Sequence, residues 1–183
     1  MLFRFEIALS DIDRGIYEKL DFRVNQHQSE TGIYLLTRAL AFALSYEPAL
    51  EFSAAGLADP DAPALQAKTA TGICDLWIEI GNPSAKKLHK AAKIAKRVEV
   101  YTYKNPELLQ KDIAGGNVHR AGEIKIYAFD PKFLERLEEH LAKTNRWSLL
   151  HQEDHLDIDT GGQTFSTDVR HFAGDNRNRI DKD

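Results

Sequence analysis

Polar and apolar residues alternate along 2–9 (LFRFEIAL) and again along 16–23 (IYEKLDFR), with Ser10, Asp11, Ile12, Asp13, Arg14 and Gly15 between them as turn chemistry. A period of two marks a half-buried strand, and the pair predicts a β-hairpin. The period then changes. Ile33, Leu36, Leu40 and Leu44 recur at helical spacing behind Ser29 as an N-cap, until Pro48 ends the pattern. This predicts a first long helix over 30–46, and the Ala, Gly, Asp and Pro of 52–64 predict a loop within one domain.

Residues 73–80 (ICDLWIEI) form a nearly continuous apolar run that ends at Gly81-Asn82-Pro83, the pattern of a strand buried on both faces. A helix over 84–96 and a strand over 98–103 follow. Further on come a helix over 106–114 closed by Gly115-Gly116, a strand over 123–129, and a helix over 130–142. Asp130 is the N-cap of that last helix and Pro131 its first residue. Strand patterns return at 147–150, 156–159 and 164–169. The alternation after residue 65 predicts an α/β fold: a mixed central sheet flanked by helices, with the N-terminal hairpin and C-terminal strands added to it. The expected domain spans 1–173, and the polar, charged 174–183 is expected to be a disordered tail.

Composition narrows the setting. The chain has 183 residues, 43% hydrophobic and 28% charged, the balance of a globular protein. The apolar stretch at 39–44 is too short to cross a bilayer. Met1–Leu9 carries Arg4 and Glu6 and lacks a cleavage site, so no signal peptide is expected. The single cysteine, Cys74, cannot make an internal disulfide or by itself hold zinc. A reducing, cytoplasmic compartment is the expectation. A net charge of -4 argues against a protein that coats nucleic acid over its whole surface, and leaves room for a local basic site.

The candidate chemistry centres on 72–81. Side chains alternate on a strand, so Asp75, Trp77 and Glu79 share one face, and Cys74, Leu76, Ile78 and Ile80 the other. Two carboxylates in a buried strand need compensation. Mg²⁺, which takes hard oxygen ligands, is one source; neighbouring Lys, Arg or backbone N–H groups are the other, and both stand open. Four residues of extended strand span about 13 Å. Asp75 and Glu79 would therefore share an ion only across a bend, or with Asp75 in the turn after Gly72. On the wheel of the next helix, Leu88, Ala91, Ala92, Ile94 and Ala95 form the apolar arc. Lys87 falls inside that arc and Lys90 at its edge, so a salt bridge back to the carboxylates is expected, whereas Lys93 and Lys96 face solvent. Glu30 opens the first helix, where the macrodipole alone favours an acid. His151, Glu153, His155, Asp157 and Asp159 alternate like a metal comb, and also like a solvated strand face, the reading preferred here. Gly115-Gly116-Asn117 lacks the lysine and spacing of a phosphate loop, and neither G-x-S-x-G nor H-E-x-x-H occurs.

At Ser29-Glu30-Thr31, at Asp75-Leu76-Trp77-Ile78-Glu79-Ile80-Gly81, at Lys90-Ala91 and at Tyr101-Thr102-Tyr103 the sequence resembles the YaeQ family of bacterial proteins. The resemblance covers most of the chain. It implies a variant of the PD-(D/E)XK nuclease fold and a cellular role that is poorly defined. It also implies a metal set of Glu30, Asp75 and Glu79 around Mg²⁺ for phosphodiester hydrolysis. The chain departs from the motif at Gly81, where lysine is asked for, and Lys87 or Lys90 would supply the missing ammonium. The leading expectation is thus a Mg²⁺-dependent, nuclease-like phosphodiesterase acting on nucleic acid. Its rival is a non-catalytic protein that binds nucleic acid or protein and keeps the fold. A third reading, a carbohydrate or small-molecule enzyme using the paired acids, requires a deep pocket.

Overall fold

The computed structural model describes residues 1–54 and 58–175. The chain begins with β1 (Leu2–Asp11), β2 (Ile16–Asn25), α1 (Gly32–Leu44), β3 (Leu50–Phe52), β4 (Leu65–Lys68), β5 (Cys74–Ile80), α2 (Ala85–Ile94) and β6 (Arg97–Thr102). It continues with α3 (Pro106–Gly115), a 3₁₀ turn (Ala121–Glu123), β7 (Lys125–Ala128), α4 (Pro131–Glu138), β8 (Thr144–Gln152), β9 (His155–Asp159), β10 (Thr164–Asp168) and β11 (Arg170–Ala173).

The hairpin forms as its alternation requires, paired from Leu2↔Asn25 to Asp11↔Ile16 and turned at Gly15, whose φ of +66° suits a residue without a Cβ. Its partners lie far along the chain. β1 takes β8 in parallel, Arg4↔Thr144 through Asp11↔His151, and β9 and β10 extend the sheet antiparallel, giving the order β10-β9-β8-β1-β2. A second sheet runs β11-β7-β6-β5-β4-β3, with β5, β6 and β7 parallel and β4, β3 and β11 antiparallel. The expected single mixed sheet with added strands is therefore two mixed sheets. The hairpin and β8–β10 complete each other instead of extending the central sheet.

α1 lies between the sheets. It touches β1 and β2 on one side and β3, β5 and β6 on the other, and α4 packs beside it. Every residue from Leu35 to Leu44 is buried in consequence, including Ala39, Ala41 and Ala43 at no exposure. The opposite face of the second sheet carries a separate apolar cluster, in which α2 and α3 pack on Trp77, Val98, Val100 and Ile126.

Some boundaries differ from expectation for identifiable reasons. α1 starts at Gly32 with Thr31 as its N-cap, the Thr31 hydroxyl accepting from the Tyr34 amide; Ser29 is instead held by the ring of His27 at 2.8 Å. Glu30 thus precedes the helix. From Leu76 onward β5 alternates as expected, but Cys74 joins Trp77 on the α2 side, because the β4–β5 register shifts at Ala67/Lys68. Among the described residues no helix is long and apolar enough to cross a membrane. Of the expected tail, Gly174 is buried and donates its amide to the carbonyl of Ile124, and 176–183 lie outside the described residues.

A helix enclosed on both sides has no room to grow. Replacing Ala41 with Leu keeps helix propensity nearly unchanged and inserts three carbons between two sheets, so Ala41→Leu is expected to lower stability by about 1–3 kcal/mol in chemical denaturation.

Candidate functional site

β5 ends at Ile80, and Gly81 turns the chain with φ +81°, its amide bonded to the carbonyl of Tyr101 at 2.8 Å. A lysine here would carry a Cβ in the left-handed region, at a cost of about 1–2 kcal/mol. The turn thus favours the glycine that stands where the resemblance asked for lysine. The ammonium comes from α2 instead. Ser84 caps this helix by accepting from the Lys87 amide, which places Lys87 one turn in, with Nζ 2.9 Å from Glu79 Oε2.

Glu79 is 3% exposed. Its Oε1 accepts from the indole N–H of Trp77 at 2.7 Å, so both oxygens have a donor. Burial still raises its carboxyl above the usual carboxylate range, with Lys87 and Trp77 opposing the shift. Glu79 and Lys87 face a cavity of about 210 Å³, also lined by Tyr34 and Arg38 of α1 and by Asp59, Pro60, Ala62, Pro63 and Ala64 of the loop that enters β4. The cleft sits at the carboxyl end of a parallel strand, where open α/β sheets place their ligands. Burial pushes the Tyr34 phenol up to about 12, so it stays a neutral O–H donor at ordinary pH.

The sequence-predicted acids do not gather. Glu30 is locked by Arg38, whose Nε and terminal nitrogen each lie 2.7 Å from its oxygens, and it also accepts from the His27 amide at 2.9 Å. Arg38 in turn caps the carbonyl of Asn25. This buried, bidentate pair anchors α1 to the end of β2 and stands behind the cleft wall. Asp75 lies at the opposite end of β5, held by Arg97 at 2.5 Å and Lys96 at 3.5 Å, and its carboxyl is held low chiefly by the Arg97 hydrogen bond. β5 does not bend to bring Asp75 back. Among the described residues, Glu30, Asp75 and Glu79 belong to no group of three ligand atoms within 4.8 Å. Lys90 reaches Asp61 at 3.3 Å on the rim and not Glu79.

Sequence reasoning missed Tyr34, Arg38 and Asp59. Tyr34 and Arg38 are one helical turn apart, which the apolar periodicity of α1 masks. Asp59 sits in the Asp/Pro-rich loop, where pattern carries no positional information. Among the described residues, the Asp59 side chain accepts from the Asp61 amide and has no ion-pair partner. The charged residues that line the cleft are Asp59, Glu79, Arg38 and Lys87, and with Arg38 already engaged by Glu30 behind the wall and Lys87 by Glu79, Asp59 is the acid left over.

Known proteins share this architecture. The uncharacterized protein YaeQ of Escherichia coli K12 is 29% identical over 102 residues, and that of Salmonella typhi 28% identical over the same length. In the former the match covers 56% of either chain, so this chain spans a little over half the length of that curated relative. The crystal structure of YaeQ from Xanthomonas axonopodis pv. citri superposes with a TM-score of 0.87 at 28% identity, over 94% of this chain and 97% of that one. YaeQ from Pseudomonas syringae gives 0.86 at 26% identity, over 94% and 95%. The family model described as YaeQ protein matches residues 1–169, from the first hairpin through β10. The chain belongs to the YaeQ family.

Proposed function

We propose that the cleft over Glu79 and Lys87 receives a phosphodiester of nucleic acid, and that the chain is a cytoplasmic, Mg²⁺-dependent, nuclease-like phosphodiesterase built on a variant of the PD-(D/E)XK fold. One observation carries this reading: Glu79, nearly buried and paired with Lys87, looks into a small cavity also lined by Asp59, which has no ion-pair partner among the described residues.

The three acids expected from the sequence do not fit a shared ion, so the ligand set is revised. Glu79 and Asp59 are the hard oxygen donors that face the cleft. A carboxylate has about four lone-pair sites, and Glu79 uses two of them on Trp77 and Lys87. Mg²⁺ characteristically takes one or two carboxylates and completes its shell with water and substrate phosphate. Bound there, the ion supplies a water of lowered pKa and a polarised phosphoryl oxygen. The chain's own residues do the rest. Lys87 stabilises charge developing on the phosphate, the Tyr34 hydroxyl donates to a phosphate oxygen, and Trp77 holds the Glu79 carboxylate in place. The exposed Lys86, Lys90 and Lys93 of α2 offer contacts to flanking phosphates. A cavity of about 210 Å³ is smaller than the roughly 300–1,000 Å³ of small-molecule sites, which weighs against a sugar substrate.

A second reading has its own support. The Glu30–Arg38 and Asp75–Arg97 pairs neutralise two of the three acids, as in a non-catalytic protein that binds nucleic acid or protein on the same framework. Single- and double-stranded DNA and RNA incubated with purified protein, in Mg²⁺ or Mn²⁺ and in chelator, separate the two. The nuclease reading expects metal-dependent cleavage that falls by about 10²–10³ in Glu79→Gln and in Lys87→Ala, drops in Asp59→Asn, and is unchanged in Asp75→Asn. Binding without cleavage in either metal selects the interaction protein, and absence of both overturns the cleft as a nucleic-acid site. Glu30→Ala strands a buried guanidinium and is expected to cost about 3–5 kcal/mol of stability, while the folded fraction still cleaves.

The raised Glu79 carboxyl gives a pH signature. Its folded-state pKa lies above the unfolded one, so ionising it opposes folding. That cost is absent below the unfolded pKa of about 4.5, grows as pH rises toward the folded value, and is complete above it. The Glu79 carboxyl is therefore expected to make the wild-type chain less stable as pH rises through its folded pKa, and this part of the pH dependence is expected to vanish in Glu79→Gln in thermal scans run from pH 4 to pH 8.

A further inference from the structure

The row His151, Glu153, His155, Asp157, Asp159 does not behave as one face. Glu153, His155 and Asp159 are exposed, whereas the His151 side chain is only 12% exposed, at the far end of α1 from the Glu79 cleft. Its Nδ1 lies 3.1 Å from Asp11 Oδ1, and Asp11 is fully buried. A carboxylate only accepts, so Nδ1 carries a proton, and whenever the ring holds that proton alone Nε2 is left with a bare lone pair. That Nε2 is sealed from solvent and has no hydrogen-bond partner. Burying a polar atom unmatched is costly, and such atoms are few in folded proteins.

What Nε2 faces is a set of hard donors. Ligand atoms of His151, Asp13 and Asp154 lie within 4.8 Å of one another, and Asp13 Oδ2 is 3.7 Å from Nε2, too far for a hydrogen bond. His171 Nε2 stands 3.1 Å from Asp154 Oδ1, and its ring packs edge-on against Tyr127 with centroids 4.6 Å apart. All four line one cavity of about 140 Å³. Arg14 also lines it, but its guanidinium is turned to Asp11 and to the carbonyls of Ala43 and Tyr46. Asp13 is fixed by the backbone amides of Glu153 and Asp154.

The geometry points to a binding site for a divalent transition metal, Zn²⁺ by preference, held by His151 Nε2, Asp13 and Asp154, with His171 as fourth ligand. Imidazole nitrogen favours Zn²⁺ over Mg²⁺; the ligand atoms of His151, Asp13 and Asp154 already lie within 4.8 Å of one another, and His171, outside that group, would turn in from its contact with Asp154 to complete a tetrahedral set. The Asp11–His151 bond is the outer-shell carboxylate that such ligating histidines use to set their tautomer. The ligands come from the β1–β2 turn, the end of β8, the β8–β9 turn and β11. The first three belong to one sheet and the last to the other, so the ion joins the two sheets. No lone residue run could have announced this, because Asp13 and His151 meet only through the β1–β8 pairing.

The test is titration of metal-free full chain with Zn²⁺ by calorimetry, and with Co²⁺ by visible absorption, alongside thermal melts. One ion per chain is expected, with a midpoint raised by about 5–10 °C at a hundredfold excess over Kd. His151→Gln and Asp13→Asn are expected to weaken Zn²⁺ at least 100-fold, and the exposed His171→Gln to weaken it by a smaller factor and alter the Co²⁺ spectrum. His155→Gln and Glu79→Gln are expected to bind as the wild type does, which separates this site from the other cleft. Because Asp13 and His171 are solvent-facing, their variants carry the test even where His151→Gln folds poorly. No saturable binding by the wild-type chain, or binding that survives in Asp13→Asn and His171→Gln alike, overturns the proposal.

Discussion

The enclosure of α1 between two sheets is the constraint from which the rest of the molecule follows. A helix packed on both sides must be apolar around most of its circumference, and the run from Leu35 to Leu44 meets that demand with alanine wherever a sheet comes close. Thr37 and Arg38 are the exceptions inside it, tolerable because the Thr37 hydroxyl donates to the Ile33 carbonyl and because Glu30 and the Asn25 carbonyl take up the Arg38 donors. At the other end, the hydroxyl of Ser45 donates to Glu99 at 2.6 Å and meets the Tyr101 hydroxyl at 2.7 Å, closing the helix with a buried polar network. Polar chemistry is thereby pushed to the two ends of α1, and both candidate sites lie there.

The two sites use charge differently. At the first, each cation is already matched to a carboxylate, and the surplus acid, Asp59, comes from a loop. At the second, the imbalance is a lone pair rather than a charge: His151 is oriented by a buried carboxylate and finds nothing at its other nitrogen. Both arrangements are held by elements whose own geometry is fixed early, the Gly81 turn and Ser84 cap in one case and the hairpin turn in the other.

Much of the fold was legible because period announces it. The ten-residue strands of the hairpin, the buried run of β5 and the Asp130-Pro131 start of α4 follow from alternation or capping chemistry that acts over a few residues. β3 and β4, three and four residues long, are too short to show a period, and β11 merges into the polar end of the chain. The division into two sheets was not legible either, since alternation says which face is buried and not which strand lies alongside. At the first cleft, the helical wheel placed Lys87 in the apolar arc, and its ammonium does return to Glu79. The fixed rise of a strand already set Asp75 and Glu79 apart. Glu30 is engaged by Arg38, a partner eight residues away that the macrodipole argument had no means to name. Asp59 depends on the path of a loop, which composition does not encode.

The parallel pairing of β1 with β8 also sets an order of events in the cell. The strand that completes the sheet of the N-terminal hairpin emerges about 140 residues later. At usual synthesis speeds of 5–20 residues per second, that leaves one long edge of β1 without its neighbour for roughly 10–30 s. A hairpin with Phe3, Phe5, Ile7 and Leu9 along that strand is a template for unwanted pairing during the wait. The sheet of the hairpin thus closes only once β8 has been made, and shielding of β1 and β2 until then governs how much of the newly made protein escapes aggregation.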